Sequence, residues 1–470
     1  MRTYHHDAGP LAYASPGVIL LSLGIVALML AGVLALGCRG LAAAAGVPLV
    51  GAVGRMMGQA AAAGLCVGIV AVIAAAAVHF WMPDRAKIRH KVQWALYHPS
   101  FGNPLHLREG ERLPAVVCKN TLRSGVYGLT VTAGAATVET IAEAASAISA
   151  ALNGRYTKYA VTQVDTGVAF DRVTFLLENV LTDRSLTFSS VEEMRPTNST
   201  RLRVQVGTEI DLTTSGSMLV AGKTRSGKTT GIIALLLQAL QCGRDKYGSQ
   251  IVIIDPKQAE LSRLPHVVTL DTDGEAREIL DALKRFSETI VLRQAVLNDL
   301  SEQVGDAVKW WSAGMHPSFL FIDEYVACRS IFPKKPAKDS DYCLDSFDAL
   351  VKRIVTMGAS AGCYVIISIA EASVQEGGLP AMLRSAMSTK ILFKPKREEG
   401  LLIWDKTMLD TMPPRVYKAG DAWFSSTDGI HDNVNFAHFP YMNFPVYREL
   451  GRLLAEYYGD TLAPPPPSET

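Results

Sequence analysis

The stretch that decides the fold is "SMLVAGKTRSGKTTGIIALLLQAL", from Ser217 to Leu240. It contains a short apolar run, a loop of small and basic residues, and a second apolar run with helical spacing. Gly222 to Thr229 match the pattern G-x-x-x-x-G-K-[ST] in full. A strand, a glycine-rich loop and a helix in this order predict a phosphate-binding P-loop.

Each part of this loop has a physical role. Glycines let the backbone curl, so that successive N–H groups point at phosphate oxygens. The Lys228 ammonium is predicted to reach the β- and γ-phosphates of ATP, and the Thr229 hydroxyl is predicted to ligate Mg²⁺. The predicted nucleotide-binding residues are Gly222, Lys223, Thr224, Arg225, Ser226, Gly227, Lys228, Thr229 and Thr230.

A second motif, "PSFLFIDEYVA", places an apolar run directly before Asp323 and Glu324. Ligands bind at the carboxyl ends of strands in open parallel sheets, so we expect these carboxylates beside the P-loop. Asp323 would hold Mg²⁺ through water, and Glu324 would orient and deprotonate the attacking water. Glu324 and Lys228 are therefore the predicted catalytic residues. Alone, such a motif also fits an ordinary strand that ends in a solvated acidic turn.

Three further apolar segments complete the predicted sheet. They are "IVIIDPKQAEL", which contains Asp255-Pro256-Lys257, "CYVIISI" (Cys363–Ile369) and "TKILFK" (Thr389–Lys394). They alternate with helical stretches such as Arg277–Leu300. This alternation predicts an α/β fold with a doubly wound, mostly parallel sheet.

The N-terminal region predicts a membrane anchor. Residues 16–36 are free of charge and residues 59–81 nearly so, and about 20 such residues cross a hydrocarbon core of roughly 30 Å. A secretory signal peptide is the alternative for the first run, but its length and the second run favour an anchor. Arg85, Lys87, Arg89 and Lys91 follow the second run. The two runs predict a multi-pass protein of the cytoplasmic membrane. The basic residues after the second run predict that both termini and the motor domain lie in the cytoplasm.

The predicted organisation has four parts. These are a membrane anchor (1–84), a small α/β or α+β membrane-proximal domain (85–205), a P-loop ATPase domain (206–455) and a disordered Pro-rich tail (456–470). The chain has 46 basic and 45 acidic residues, so any nucleic-acid contact must come from a local patch. The seven cysteines show no metal-binding spacing, which favours free thiols.

Four segments, in their order along the chain, resemble the FtsK/SpoIIIE family of hexameric double-stranded DNA translocases. They are the P-loop, "IVIIDPKQAELSRLPHVV", "FLFIDEYVA" and "LVKRIVTMGASAGCYVIISIAEASV". The resemblance covers roughly Val206 to Phe424 and implies a RecA-like motor that hydrolyses ATP with Mg²⁺. Two membrane helices before one motor domain look like the conjugative members, of the TcpA and Streptomyces Tra type. This similarity implies a hexameric ring that moves double-stranded DNA together with other conjugation proteins.

The sequence departs from the family pattern at two points. Where the family usually has Thr-Gln-Arg-Pro, with the Gln sensing the γ-phosphate, this chain has residues 369–372, Ile-Ala-Glu-Ala. Ala370 cannot hydrogen-bond a phosphate, so either Ser368 substitutes or hydrolysis is slow. Lys390 stands where an arginine is usual, and lysine cannot make the planar bidentate contact. Candidates for an arginine finger toward the adjacent subunit are then Arg384 and Arg353.

Alternatives to a conjugative DNA pump remain at this point. Chromosome-segregation or sporulation pumps usually carry more spans and a C-terminal winged helix, whereas residues after 455 lead into "LAPPPPSET". A type VII secretion ATPase usually has several tandem motors. A membrane scaffold that binds ATP as a switch with little turnover fits Ala370. Lys334, Lys335 and Lys338 form either a solvated loop or a sequence-independent grip on DNA phosphates.

Overall fold

The computed structural model of this chain describes residues 3–9, 11–42, 48–122, 125–338, 340–370, 379–410, 412 and 417–460. They form two compact units, the first reaching Thr182 and the second beginning at Asp183. The second unit thus starts upstream of the expected boundary at residue 206. The reason is local: the backbone N–H of Arg203 donates to Gln238 Oε1, at 2.8 Å, on the helix that follows the P-loop.

The first unit begins with two long apolar helices. Helix α1 spans Pro16–Ala42 and α2 spans Pro48–Trp81, so both are longer than the predicted runs. Within them, Pro16–Arg39 and Ala52–Trp81 are long and apolar enough to cross a membrane. At 1.5 Å per residue, α1 is about 40 Å long and α2 about 50 Å, more than a hydrocarbon core requires.

Small residues form the contact between α1 and α2. A Cβ atom at Gly68 would lie 2.6 Å from Leu28 Cγ, and one at Gly64 would lie 3.2 Å from Ala31 Cβ. Ala31 itself is buried. The G-x-x-x-G spacing in α2 therefore lets the two helices of one chain approach closely.

The segment before α1 folds onto the domain that follows α2. The Tyr4 side chain is buried, and its backbone N–H donates to the Glu111 carbonyl oxygen at 2.9 Å. Glu109 accepts from the His6 backbone N–H at 2.7 Å and lies 2.6 Å from His5 Nδ1. The chain therefore returns after α2 to the side from which it entered α1.

The rest of this unit is a four-stranded antiparallel sheet with helices. The strands are β1 (Val116–Asn120), β2 (Tyr127–Thr132), β3 (Tyr159–Thr166) and β4 (Arg172–Asn179), in the order β1-β2-β4-β3. The helices are α3 (Asp84–Tyr97), α4 (Val138–Glu143) and α5 (Ala145–Ala151). Ile141 on α4 and Ile148 on α5 are both buried in the core of this unit, and Ala144 separates the two helices.

The second unit contains the P-loop and an eight-stranded mixed sheet. The strands of the whole unit, including four in two smaller two-stranded sheets, are β5 (Thr187–Phe188), β6 (Arg201–Gln205), β7 (Thr208–Asp211), β8 (Met218–Ala221), β9 (Ile251–Ile254), β10 (Val267–Val268), β11 (Ser318–Ile322), β12 (Cys363–Ile369), β13 (Thr389–Phe393), β14 (Asp421–Ser426), β15 (Asn435–His438) and β16 (Tyr441–Met442). The large sheet has the order β10-β9-β11-β12-β8-β13-β14-β15. Pairing is parallel from β10 to β13 and antiparallel for β14 and β15.

Helices cover this sheet on both faces. They are α6 (Lys228–Leu240), α7 (Arg277–Val304), α8 (Tyr325–Ile331), α9 (Leu344–Met357), α10 (Ala381–Ala386), α11 (Arg397–Gly400), α12 (Lys406–Asp410) and α13 (Val446–Tyr458). Every residue of β8, β9, β11 and β12 is buried, as expected for parallel strands enclosed on both sides. Helix α6 packs with α13, and α7 packs with α9. The prediction of a doubly wound α/β domain is confirmed.

A buried ion pair ties α7 to two loops of the sheet. Arg293 is 1% exposed, and its Nη1 lies 3.4 Å from Asp245 Oδ2. Its Nη2 donates to the His316 carbonyl oxygen at 2.8 Å. Asp245 also accepts from the backbone N–H of His316, at 2.6 Å. These bonds fix the loops that lead into β9 and β11, and so the strands that deliver the acidic residues of the site.

We expect Asp245→Ala to destabilise the protein strongly, because it leaves the Arg293 charge buried without its anionic partner. The expected cost is about 3–5 kcal/mol of unfolding free energy, or a melting temperature lowered by roughly 10 °C. Tryptophan fluorescence of the full-length protein in detergent during heating measures this. Asp281→Ala is the control, since its ion pair with Lys284 is solvent-exposed and should cost under about 1 kcal/mol. Equal shifts for both variants would contradict the assignment.

Candidate nucleotide-binding site

The P-loop backbone takes the curled form that its glycines predict. Gly222 has φ 152° and Gly227 has φ 94°, while Arg225 lies in the left-handed region at φ 62°. A Cβ atom at Gly227 would lie 2.7 Å from the backbone nitrogen of Gly420. That nitrogen donates to the Ser226 carbonyl oxygen at 3.0 Å. The second glycine of the motif is thus required both by its φ angle and by backbone packed behind the loop.

Three strands end side by side at this loop. In the register, Ile322 of β11 pairs with Ile367 of β12, and Ser368 pairs with Val220 of β8. The chain therefore delivers Asp323, Ser368 and the P-loop to the same edge of the sheet. This is the convergence that the strand-end motifs predicted.

Three polar atoms at this edge are buried and make no hydrogen bond of standard geometry within the described part of the chain, although the Ser368 hydroxyl is near enough to Asp323 to lower the pKa of its carboxyl. They are Ser226 Oγ, Asp323 Oδ1 and Ser368 Oγ. Leaving a buried polar group unsatisfied costs about 1–3 kcal/mol, so three of them together at one sheet edge point to a ligand that satisfies them. Phosphate oxygens, and a cation with its water shell, supply the partners that such hydroxyl and carboxylate oxygens need.

The two predicted catalytic residues are in contact. Lys228 Nζ lies 3.0 Å from Glu324 Oε1, and the Lys228 side chain is only 8% exposed. Glu324 has φ 52°, a left-handed conformation at the residue that precedes α8. Such a conformation costs about 1–2 kcal/mol for a residue with a Cβ atom, and residues held this way cluster at functional sites.

Asp323 has the surroundings of a side chain that faces a cation. Burial raises the pKa of its carboxyl, and the nearby Lys228 ammonium and Ser368 hydroxyl lower it in part. A divalent cation would favour the ionised form. The described residues contain no cluster of three or more His, Cys, Asp or Glu that could hold a metal. Mg²⁺ is commonly bound by one or two carboxylates together with substrate phosphates, so Asp323 and Thr229 fit Mg²⁺ that arrives with a nucleotide.

Asp255 has a role that the sequence did not predict. Its carboxylate is fully buried at the end of β9. It accepts backbone N–H bonds from Lys257 at 3.2 Å, Ala259 at 3.0 Å and Ser262 at 3.1 Å. Asp255 thus braces the loop after β9. The short apolar run that ends in Asp-Pro-Lys was the visible signal, but the three bonds depend on the folded loop.

The loop after β13 forms a further wall of the site that sequence reasoning missed. Lys223 Nζ lies 3.2 Å from Glu399 Oε1, and Lys394 Nζ donates to the Arg225 carbonyl oxygen at 3.3 Å. Charged residues directly after the end of "TKILFK" were the only signal in the sequence. These contacts hold the outer side of the P-loop, where Lys223, Thr224 and Arg225 are exposed.

The candidates for an arginine finger are placed differently from one another. Arg384 Nη1 donates to the Leu402 carbonyl oxygen at 2.6 Å, and Lys390 Nζ donates to that of Ile403 at 3.4 Å. Arg384 and Lys390 therefore both hold the loop that contains Leu402 and Ile403. Arg353 is exposed on α9, where it lines a groove of about 330 Å³.

The remaining predicted positions are distributed as follows. Ala370 directly follows β12 and is half-buried, whereas Glu371 and Ala372 lie outside the described residues. Lys334, Lys335 and Lys338 are exposed in the connection between α8 and α9.

Comparisons with known proteins find similarity over the residues of this site. Residues 192–326 match the model of the FtsK/SpoIIIE family. The FtsK domain-containing protein YdcQ of Bacillus subtilis is 26% identical over 151 residues, which are 32% of this chain and 28% of YdcQ.

Two solved structures are similar in outline. The pCW3 conjugation coupling protein TcpA, a monomer with ATPγS, is 13% identical, with a TM-score of 0.43 over 76% of this chain and 95% of that one. The cytoplasmic domain of the type VII secretion ATPase EccC from Thermomonospora curvata is 19% identical, with a TM-score of 0.38 over 55% and 32%. The chain carries an FtsK/SpoIIIE-family domain, and the matched residues 192–326 contain the P-loop, Asp323 and Glu324.

Proposed function

We propose that this protein is a membrane-anchored ATPase that assembles as a hexameric ring and translocates double-stranded DNA, in conjugative transfer of a plasmid or integrative element. The observation that carries the ATPase part of the proposal is the contact of Lys228 with Glu324, at 3.0 Å, beside the buried Asp323 carboxylate. This arrangement has the groups that phosphoryl transfer to water requires.

The residues of the chain divide the work of hydrolysis among them. Backbone N–H groups of the P-loop would bind the phosphates. Lys228 would leave its ion pair with Glu324 and bind the negatively charged phosphates instead. Thr229 and Asp323 would hold Mg²⁺, which would supply positive charge to offset the negative charge that develops on the phosphates. Glu324, freed from Lys228, would orient a water molecule and accept its proton.

The choice of DNA as the transported polymer is supported by the FtsK/SpoIIIE-family domain. The net charge of +1 suits a ring that touches DNA through few residues. Lys334, Lys335 and Lys338 are exposed and carry the charge that a sequence-independent phosphate contact needs. The conjugative role rests on the arrangement of two apolar helices before one motor domain.

The anchor is proposed to place both termini in the cytoplasm. Tyr4 is bonded to Glu111, beyond both apolar helices, so the two chain segments share one side. The basic residues at the start of α3 make that side the cytoplasmic one. We propose the anchor over residues 1–84, then the membrane-proximal domain and the motor, with the expected boundary at residue 206 replaced by the one at Asp183. The tail expected over 456–470 begins inside α13, which ends at Tyr458, and residues 461–470 lie outside the described part of the chain.

A membrane switch that binds ATP with little turnover is the second candidate. Ala370 favours it, because an alanine after β12 cannot contact the γ-phosphate. The buried Ser368 hydroxyl favours turnover instead, because it is unpartnered among the described residues and lies at the same strand end.

Hydrolysis assays of the full-length protein in lipid nanodiscs, with and without double-stranded DNA, test the proposal. We expect stimulation by DNA and loss of ATP binding in Lys228→Ala, since the phosphates lose their cation. Glu324→Gln should retain ATP binding but lose about 10²- to 10⁴-fold in kcat, because the base is removed.

Lys284→Ala, on α7, is the matched control and should behave as the wild type. Hydrolysis that is indifferent to DNA would contradict a DNA pump. Tight ATP binding without any hydrolysis would favour the switch.

Ser368→Ala separates catalysis from stability. We expect kcat to fall roughly tenfold, equal to about 1.4 kcal/mol, if the hydroxyl serves the γ-phosphate or its water. The melting temperature should change little, because the Ser368 hydroxyl makes no hydrogen bond of standard geometry in the described chain.

The control for Ser368→Ala is Ser249→Ala. The Ser249 hydroxyl is also fully buried, but it accepts from the Asp245 backbone N–H at 2.8 Å and is bonded to the Tyr457 hydroxyl at 3.0 Å. This variant should lower the melting temperature and leave kcat unchanged. The opposite pattern would show that Ser368 has only a structural role.

A further inference from the structure

We propose that Lys257 is a positioning residue for ATP hydrolysis: it holds the Glu324 carboxylate once Lys228 has turned to the nucleotide phosphates. The inference rests on the proposed function, because it takes Glu324 as the base that activates water. It adds a residue outside the P-loop and outside the acidic strand end to the hydrolytic machinery.

One carboxylate oxygen lies between two ammonium groups. Glu324 Oε1 is 3.0 Å from Lys228 Nζ and 3.6 Å from Lys257 Nζ. The two lysines differ in their surroundings, since the Lys228 side chain is 8% exposed and that of Lys257 is 51% exposed. The buried lysine lies in the loop that binds phosphate, whereas the exposed one lies on a separate strand end.

Nucleotide binding removes the contact of Glu324 with Lys228 and leaves its contact with Lys257. Lys228 is the P-loop lysine, whose ammonium is drawn to the β- and γ-phosphates. Glu324 then loses its shorter ion pair and stands near phosphate charges and the neighbouring Asp323, which repel it. Among the described residues, Lys257 is the remaining cation paired with Glu324 Oε1, so it opposes this repulsion and keeps the carboxylate within reach of the attacking water.

The backbone that carries Lys257 is firmly placed. Its N–H donates to the buried Asp255 carboxylate at 3.2 Å, and the Asp255 N–H donates to the Val268 carbonyl oxygen at 2.9 Å. Strands β9 and β11 are neighbours, with Ile254 paired to Ile322. Lys257 and Glu324 therefore follow adjacent strand ends, and only the side chain of Lys257 has to move with the carboxylate.

Loss of the Lys257 ammonium should lower the rate of ATP hydrolysis and not the free energy of unfolding. An ion pair with one partner half-exposed contributes little to stability. Displacing a reacting group by about 1 Å can cost about a hundredfold in rate. Loss of Lys257 should therefore leave folding and nucleotide affinity intact while it lowers turnover.

The test measures kcat, KM and the Kd for ATPγS of the full-length protein in lipid nanodiscs with double-stranded DNA. In Lys257→Met we expect kcat to fall about ten- to a hundredfold, with KM and Kd within about twofold of the wild type. Lys257→Arg keeps the cation and should recover kcat to within about fivefold. Lys284→Met, which removes a lysine paired with Asp281 and Asp341 at 3.1 and 2.9 Å, should change nothing.

Combination with Glu324→Gln shows whether Lys257 acts through the carboxylate. In single-turnover hydrolysis, Lys257→Met should add no further loss in that background, since a neutral amide has no charge to hold. A further loss, or a Kd that rises in step with the fall in kcat, would make Lys257 a direct phosphate ligand and overturn the proposal.

The outcomes also separate this inference from the proposed function. Unchanged kcat in Lys257→Met beside an active wild type overturns the inference alone. A wild type that binds ATPγS but does not hydrolyse ATP overturns the proposed function and the inference with it.

Discussion

The parallel register of three buried strands is the constraint on which the rest of the site depends. Because Ile322 pairs with Ile367 and Ser368 pairs with Val220, strands β11, β12 and β8 end within two residues of one another. This register brings Asp323, Ser368 and the P-loop to the same edge of the sheet. A shift of one residue in β11 would move Glu324 by about 3.3 Å. Glu324 Oε1 lies 3.0 Å from Lys228 Nζ, so this shift would break their ion pair.

The site carries costs that the remainder of the domain offsets. Glu324 and Arg225 adopt left-handed backbone conformations, and buried oxygens of Ser226, Asp323 and Ser368 lack partners among the described residues. Single departures of both kinds also occur elsewhere in the described chain, as at Arg293 Nε and at Phe170. What distinguishes Ser226, Asp323 and Ser368 is that they lie together at one sheet edge, as expected of a functional site.

The parts of the fold that the sequence predicted are those set by local pattern. The P-loop has a complete motif between an apolar strand and an apolar helix, and both elements lie where the motif requires them. Asp323 and Glu324 were found because an apolar run ends at them. The α1 and α2 helices were identified by hydropathy, although their ends at Ala42 and Pro48 differ from the predicted ones.

The parts that could not be predicted depend on contacts between distant segments. The salt bridge of Lys223 with Glu399 joins residues far apart in the chain. The start of the second unit at Asp183 depends on packing that no composition change marks. Arg384 was a candidate for reaching a neighbouring subunit, but its bond to the Leu402 carbonyl is visible only in the fold.

The most direct measurement of the central claim is movement along DNA. Full-length protein in lipid nanodiscs would be mixed with a linear DNA duplex that carries a labelled third strand at one end. Translocation predicts that the third strand is displaced when ATP and Mg²⁺ are present, and that Glu324→Gln abolishes displacement. Hydrolysis of ATP on this DNA without displacement of the third strand would contradict the account.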